Sequence, residues 1–169
     1  MDEIINKVSE SGIINIDLEQ LIPAGKRMEI DLKPLLFQEL VLRENDFREY
    51  IKNTSWENYR EHFVNVTCSA EAIIPNWAYM LIASKLSGIA KKVFFGSKEK
   101  LESDLLNESI EALSTDTYKD QRVIIKGCSK SFIGEEAYLN LTMKLTPVVK
   151  SLMFGEPCSS VPVYKKKRD

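Results

Sequence analysis

Two stretches of this chain are rich in β-branched and apolar residues: FVNVT, from Phe63 to Thr67, and VII, from Val123 to Ile125. Each is followed by a helical pattern and then by a second apolar run ended by glycine, KKVFFG at Lys91 to Gly96 and KSLMFG at Lys150 to Gly155. Strands without polar alternation have no face to offer to water, and a helix between two of them supplies the crossover of a parallel pair. The pattern therefore predicts an α/β fold in three layers: a mostly parallel sheet with helices on both faces.

The two stretches also match each other at an offset of 59 residues. Tyr59-Arg60-Glu61 meets Tyr118-Lys119-Asp120, Ala78-Tyr79 meets Ala137-Tyr138, and Phe95-Gly96 meets Phe154-Gly155. Ile82, Ile89 and Val93 meet Leu141, Val148 and Leu152, so the apolar positions agree in type. Two copies are too few for a solenoid, and the expectation is an internal strand-helix-strand duplication, with units at about 59–96 and 118–155. Pro75 suits the start of the first helix, which runs towards Ile89. Glu135 and Glu136 suit the positive end of the second. Between the units, Leu101, Leu105, Leu106 and Ile110 give Ser97 to Ser114 a helical period.

The first third is less regular. Ile13 to Ile16 and Met28 to Leu32 read as strands with Pro23-Ala24-Gly25 as a turn between them, and Glu39 to Leu42 as a further strand. Asn45 is the expected cap of a helix reaching Tyr50 to Lys52. No linker divides the 169 residues, so a single domain over 1–169 is expected. A net charge of −2 excludes a general electrostatic basis for binding nucleic acid or an anionic membrane. The basic tail, residues 165–169, reads as a solvated end. Met1-Asp2-Glu3 is acidic with no apolar segment behind it, and no run is long enough to span a bilayer, so a cytoplasmic protein with reduced thiols is expected.

In a parallel sheet the carboxyl ends of the strands share one edge, where open α/β folds place their ligands. Cys68 and Cys128 follow two such ends directly and Cys158 lies three residues past a third. These are all the cysteines of the chain, and each precedes a serine whose hydroxyl could hydrogen-bond sulfur. Three thiolates suit a zinc ion with an open position, or an iron–sulfur cluster with one iron left for another ligand. The alternative is a set of core thiols with no chemistry. No C-x-x-C spacing is present, so Cys68, Cys128 and Cys158 are candidate metal ligands through convergence alone. His62, the only histidine, precedes the first strand and stands about 20 Å from Cys68 at roughly 3.3 Å per residue, which excludes it as a fourth ligand or a base. A cysteine ahead of a helix could instead act as a reactive thiolate.

Dinucleotide, phosphate-loop and nucleophile-elbow motifs are absent. Glu71, Glu135 and Glu136 read as solvated helix-start residues, and Trp77, Tyr79 and Tyr138 as core rather than ligand cage.

The segments NVTCSAEAIIPNWAYMLIASKL, VIIKGCS and MFGEPCSSVPVYKK together resemble a bacterial domain-of-unknown-function family, number 2480, over essentially the whole chain. The resemblance carries no catalytic residue. Through the genes that often accompany this family it implies a tie to the sulfur-mobilising iron–sulfur assembly machinery, and hence partners there. The functional expectation is a non-catalytic accessory protein that handles an iron–sulfur cluster, sulfur or a metal such as zinc through its three cysteines. The alternative is a structural or protein-interaction module with buried, inert thiols. Nothing in the sequence sets the oligomeric state.

Overall fold

The computed structural model describes residues 12–167; the acidic start of the chain and residues 168 and 169 lie outside them. The protein is a mixed α/β structure built from two compact units, one of 1–23 with 102–169, the other of 24–101. Each unit has its own mostly parallel sheet.

The unit formed by 24–101 orders its strands β2-β3-β4, where β2 is Arg27–Asp31, β3 is Phe63–Thr67 and β4 is Lys92–Phe95. Both pairings are parallel. Helix α1, Glu44–Asn53, lies between β2 and β3 in the chain, and α2, Asn76–Leu86, forms the crossover from β3 to β4. Val64 and Val66 pack with Ala78, Ile82 and Leu86 of α2 and with Phe47 and Ile51 of α1. Those α2 positions fall four apart, the spacing that keeps them on one face of a helix.

The other unit orders its strands β1-β5-β6-β7: β1 is Ile13–Ile16, β5 Arg122–Ile125, β6 Ser151–Glu156 and β7 Ser159–Lys165. The first three are parallel, and β7 returns antiparallel beside β6. Helix α3, Lys98–Ala112, carries the chain into this unit, and α4, Glu135–Leu145, crosses from β5 to β6. Val123, Ile125 and Leu152 pack with Ala137, Leu141 and Leu145 of α4 and with Leu106 and Ile110 of α3.

Several details recur 59 residues apart. Glu61 and Asp120, ahead of β3 and β5, hold φ of 59° and 55°, and each donates its N–H to the turn before the next strand, at Ile89 O (2.9 Å) and Val148 O (2.8 Å). Tyr79 meets Phe95 edge-on with centroids 5.3 Å apart, and Tyr138 meets Phe154 in the same way at 5.6 Å.

The structure departs from the sequence expectations at five places. One sheet was expected and two are present, because each crossover strand pairs with a different strand of the N-terminal segment: β5 with β1, β3 with β2. Residues 39–42 form no strand; Gln38 and Glu39 turn the chain with φ of 52° and 58°, closed by an isolated bridge from Phe37 to Val41. Asn45 sits inside the first turn of α1, and Arg43 occupies the cap position without a side-chain cap bond. The strand β7 was not foreseen at all. Its sequence, SSVPVYK, holds a proline and mostly polar or exposed positions, as suits an edge strand beside a hairpin. Of the basic tail, Lys165 ends β7 and Lys166 pairs with Asp120 at 3.0 Å, so these two are not free ends.

Candidate functional site

All three cysteines lie beyond carboxyl ends of strands, Cys68 after β3, Cys128 after β5 and Cys158 after β6, and none is fully buried. Cys68 belongs to the unit of 24–101, and Cys128 and Cys158 to the other. Among the described residues, no three side chains of His, Cys, Asp or Glu gather as a metal ion requires. The donors of the described residues therefore do not by themselves fit a resident zinc or iron–sulfur cofactor.

Cys68 is part-buried, with its thiol 3.7 Å from the carbonyl of Ala70. Its neighbour Ser69 does not serve the sulfur. The Ser69 hydroxyl and N–H both donate to the Asp31 carboxylate, at 2.6 and 2.9 Å, and Lys33 N–H adds a third bond at 3.0 Å. Burial would raise the Asp31 pKa, but these bonds and the Lys33 charge outweigh it and hold the carboxyl below its ordinary value. The serine after Cys68 is thus an anchor that pins the exit of β3 to the end of β2.

Cys128 has the most developed surroundings. Its thiol donates to Glu19 Oε1 at 2.7 Å, Lys130 N–H donates to the sulfur at 3.4 Å, and its own N–H donates to the Tyr138 hydroxyl at 3.0 Å. Burial, the bond to Glu19 and the charges of Glu19 and Asp17 push its pKa up, against a smaller opposing bond from Lys130. Cys128 is therefore held as a thiol, which argues against a nucleophilic thiolate at neutral pH. Cys158 stands exposed with Pro157 in the turn joining β6 to β7, where Glu156 pairs with Ser159.

Beside Cys128 lies a cleft of about 480 Å³, entirely within this unit. Its walls are Ile125, Ile133, Met153, Phe154 and Val163, and its polar groups are those of Cys128, Glu135, Tyr138 and Thr142. Tyr138 packs against the core and Glu135 is an exposed helix start, as the sequence suggested, and both also line this cleft. The only signal that could have found them is their place in the first turn of α4, which follows a strand end.

A second residue escaped the sequence altogether. Asn65, in the middle of β3, is the buried polar residue of the described chain at 1% exposure, and its amide donates to Glu29 Oε2 (2.7 Å) and to Gly96 O (3.2 Å). It ties β3 to both of its neighbours. His62, just before the amino end of β3, donates Nδ1–H to Arg60 O at 2.6 Å, and the length of the strand separates it from Cys68 as expected.

No helix of the described residues is long and apolar enough to cross a membrane. An α/β protein with a thiol and a cleft at the carboxyl edge of a parallel sheet is the class these features define. The chain belongs to the family described as "Protein of unknown function (DUF2480)", whose model matches residues 2–166. Neither the curated proteins nor the solved structures contain a match.

Proposed function

We propose that the protein is a non-catalytic accessory factor that offers Cys128, together with Cys158, to thiophilic cargo: a soft metal ion, an iron–sulfur cluster in transit, or sulfane sulfur handed to the cysteine by a partner's persulfide, whose own thiolate leaves. The observation that carries this reading is the Cys128 thiol bonded to Glu19 at an accessible strand edge. A carboxylate in contact with a thiol keeps it protonated and unreactive at rest and stands ready to take its proton when a metal arrives. Because no complete ligand set is gathered among the described residues, the cargo takes its remaining ligands from a partner, and proteins of iron–sulfur assembly are partners of the right chemistry. A cytoplasmic setting keeps the thiols reduced.

The test is iron, zinc, sulfane sulfur and acid-labile sulfide content, with a visible spectrum, on protein purified without oxygen. Repeating it after addition of ferrous iron and sulfide would complete it. Uptake that is lost in Cys128→Ser and weakened in Cys158→Ser is expected. Wild-type protein that takes up none of the four, or uptake unchanged when all three cysteines become serine, overturns the reading. The interaction-module reading would then stand; it draws on Leu139 and Met143, which leave 64% and 75% of their surface uncovered on α4.

A further inference from the structure

The cleft beside Cys128 has the size of a small-molecule site, which ranges over roughly 300–1,000 Å³, and its walls are too apolar to be needed by a metal ion. Phe154 presents a ring, fixed edge-on by Tyr138 at 84° between planes. Ile125, Ile133, Met153 and Val163 supply aliphatic surface. The Tyr138 oxygen already accepts the Cys128 N–H, so its own proton is left for another acceptor.

Lys126 and Lys130 flank the lining segment in the chain, Lys126 paired with Glu156 at 3.9 Å, but the lining itself carries ionic charge of one sign only. Glu135 is the one ionic side chain among the residues lining it, placed in the first turn of α4. Glu19 lies on the Cys128 thiol, and Asp17 is near enough to act on the same sulfur. No arginine or lysine lines the cleft, so a phosphate or carboxylate would enter uncompensated, losing hydration for no ion pair. A cation would gain Glu135 and the field of the other two carboxylates.

We propose that this cleft binds a small organic amine with an aromatic or branched aliphatic body, the body against Phe154 and the isoleucines, the ammonium at Glu135. This site adjoins the cargo site at Cys128 but rests on other groups, the apolar walls and Glu135 rather than sulfur.

The experiment is a titration of the full chain followed by the methyl NMR signals of isoleucine and methionine, with phenethylamine as probe and 3-phenylpropionate as its anionic counterpart. Saturable shifts at Ile125, Ile133 and Met153 are expected with the amine, and binding at least about tenfold weaker with the carboxylate. Glu135→Gln, at an exposed helix start where folding is not at stake, should bring the two probes within about twofold of each other. Phe154→Ala should abolish the shifts, with the undisturbed methyl spectrum of the core as the check on folding. Cys158→Ser, outside the lining of the cleft, should leave amine binding intact while weakening cargo uptake, so either reading can fail alone. No saturable shift up to about 10 mM amine, equal binding of the two probes by the wild type, or a preference untouched by Glu135→Gln overturns the proposal.

Discussion

At the scale of single residues, the polar side chains near the strand ends divide into those that hold the backbone and those that face an opening. Asp31 belongs to the first kind. Folding lowers the affinity of its carboxyl for a proton, so its contribution to stability is complete above the ordinary aspartate range and is lost as pH falls through the depressed folded value. Asp31→Asn should therefore lower the urea midpoint at neutral pH, and its deficit against wild type should shrink between about pH 5 and pH 2. Unfolding curves across that range check it; a deficit that grows with acidity would contradict the assignment. The Cys-Ser pairs were legible as strand exits, but not the use of Ser69, since the Asp31 that binds it lies 38 positions away in the chain. Asn65 was illegible for the same reason. A lone asparagine in an apolar strand says nothing about partners on two other strands, though removing such a buried donor costs about 1–3 kcal/mol.

At the scale of elements, the sequence read well wherever an apolar period was strong. The strands β1, β3 and β5 and the helices α2, α3 and α4 stand within a few residues of expectation, because burial on both faces of a strand or one face of a helix leaves its mark in composition. What failed had no such mark: the turn at 38–41, the cap of α1, and β7. The β6–β7 hairpin depends on Gly155, whose φ of 122° places any Cβ within 2.6 Å of Ser159 O, a backbone atom that cannot step aside. Gly155→Ala should cost more than about 1 kcal/mol, whereas Gly127→Ala, whose Cβ would meet only the Phe154 ring at 3.4 Å, should cost less. Paired denaturation midpoints decide between them, and equal losses would show that the hairpin does not need the glycine. Gly96 shares the positive φ but faces only the stem of Lys100, so the recurrence of glycine 59 residues apart hides two different steric demands.

At the scale of the whole molecule, the α/β class and the parallel pairing were legible, while the division into two sheets was not. A crossover names the strand beside it, but the other neighbour of β3 or β5 is chosen by tertiary contacts that no local pattern records. The order of strands has a measurable outcome. β3 and β5 are bonded on both sides and buried along most of their length. Their amides should exchange with solvent last, those of the edge strands β2 and β7 sooner, as native-state hydrogen exchange would report. Protection of β7 equal to that of β5 would contradict it.

The last strand also bears on how the protein behaves when concentrated. An open sheet border is a template on which other chains can grow, and β7 is such a border, with Val161 and Val163 largely uncovered. Between those valines stands Pro162, with no N–H to offer a newcomer, opposite Met153 where the pairing slips out of register. Lysines follow at 165 and 166. The same segment that walls the cleft through Val163 thus interrupts the border against fibre-like stacking, and a chain that kept the valines but exchanged the proline for threonine would trade solubility for a longer sheet.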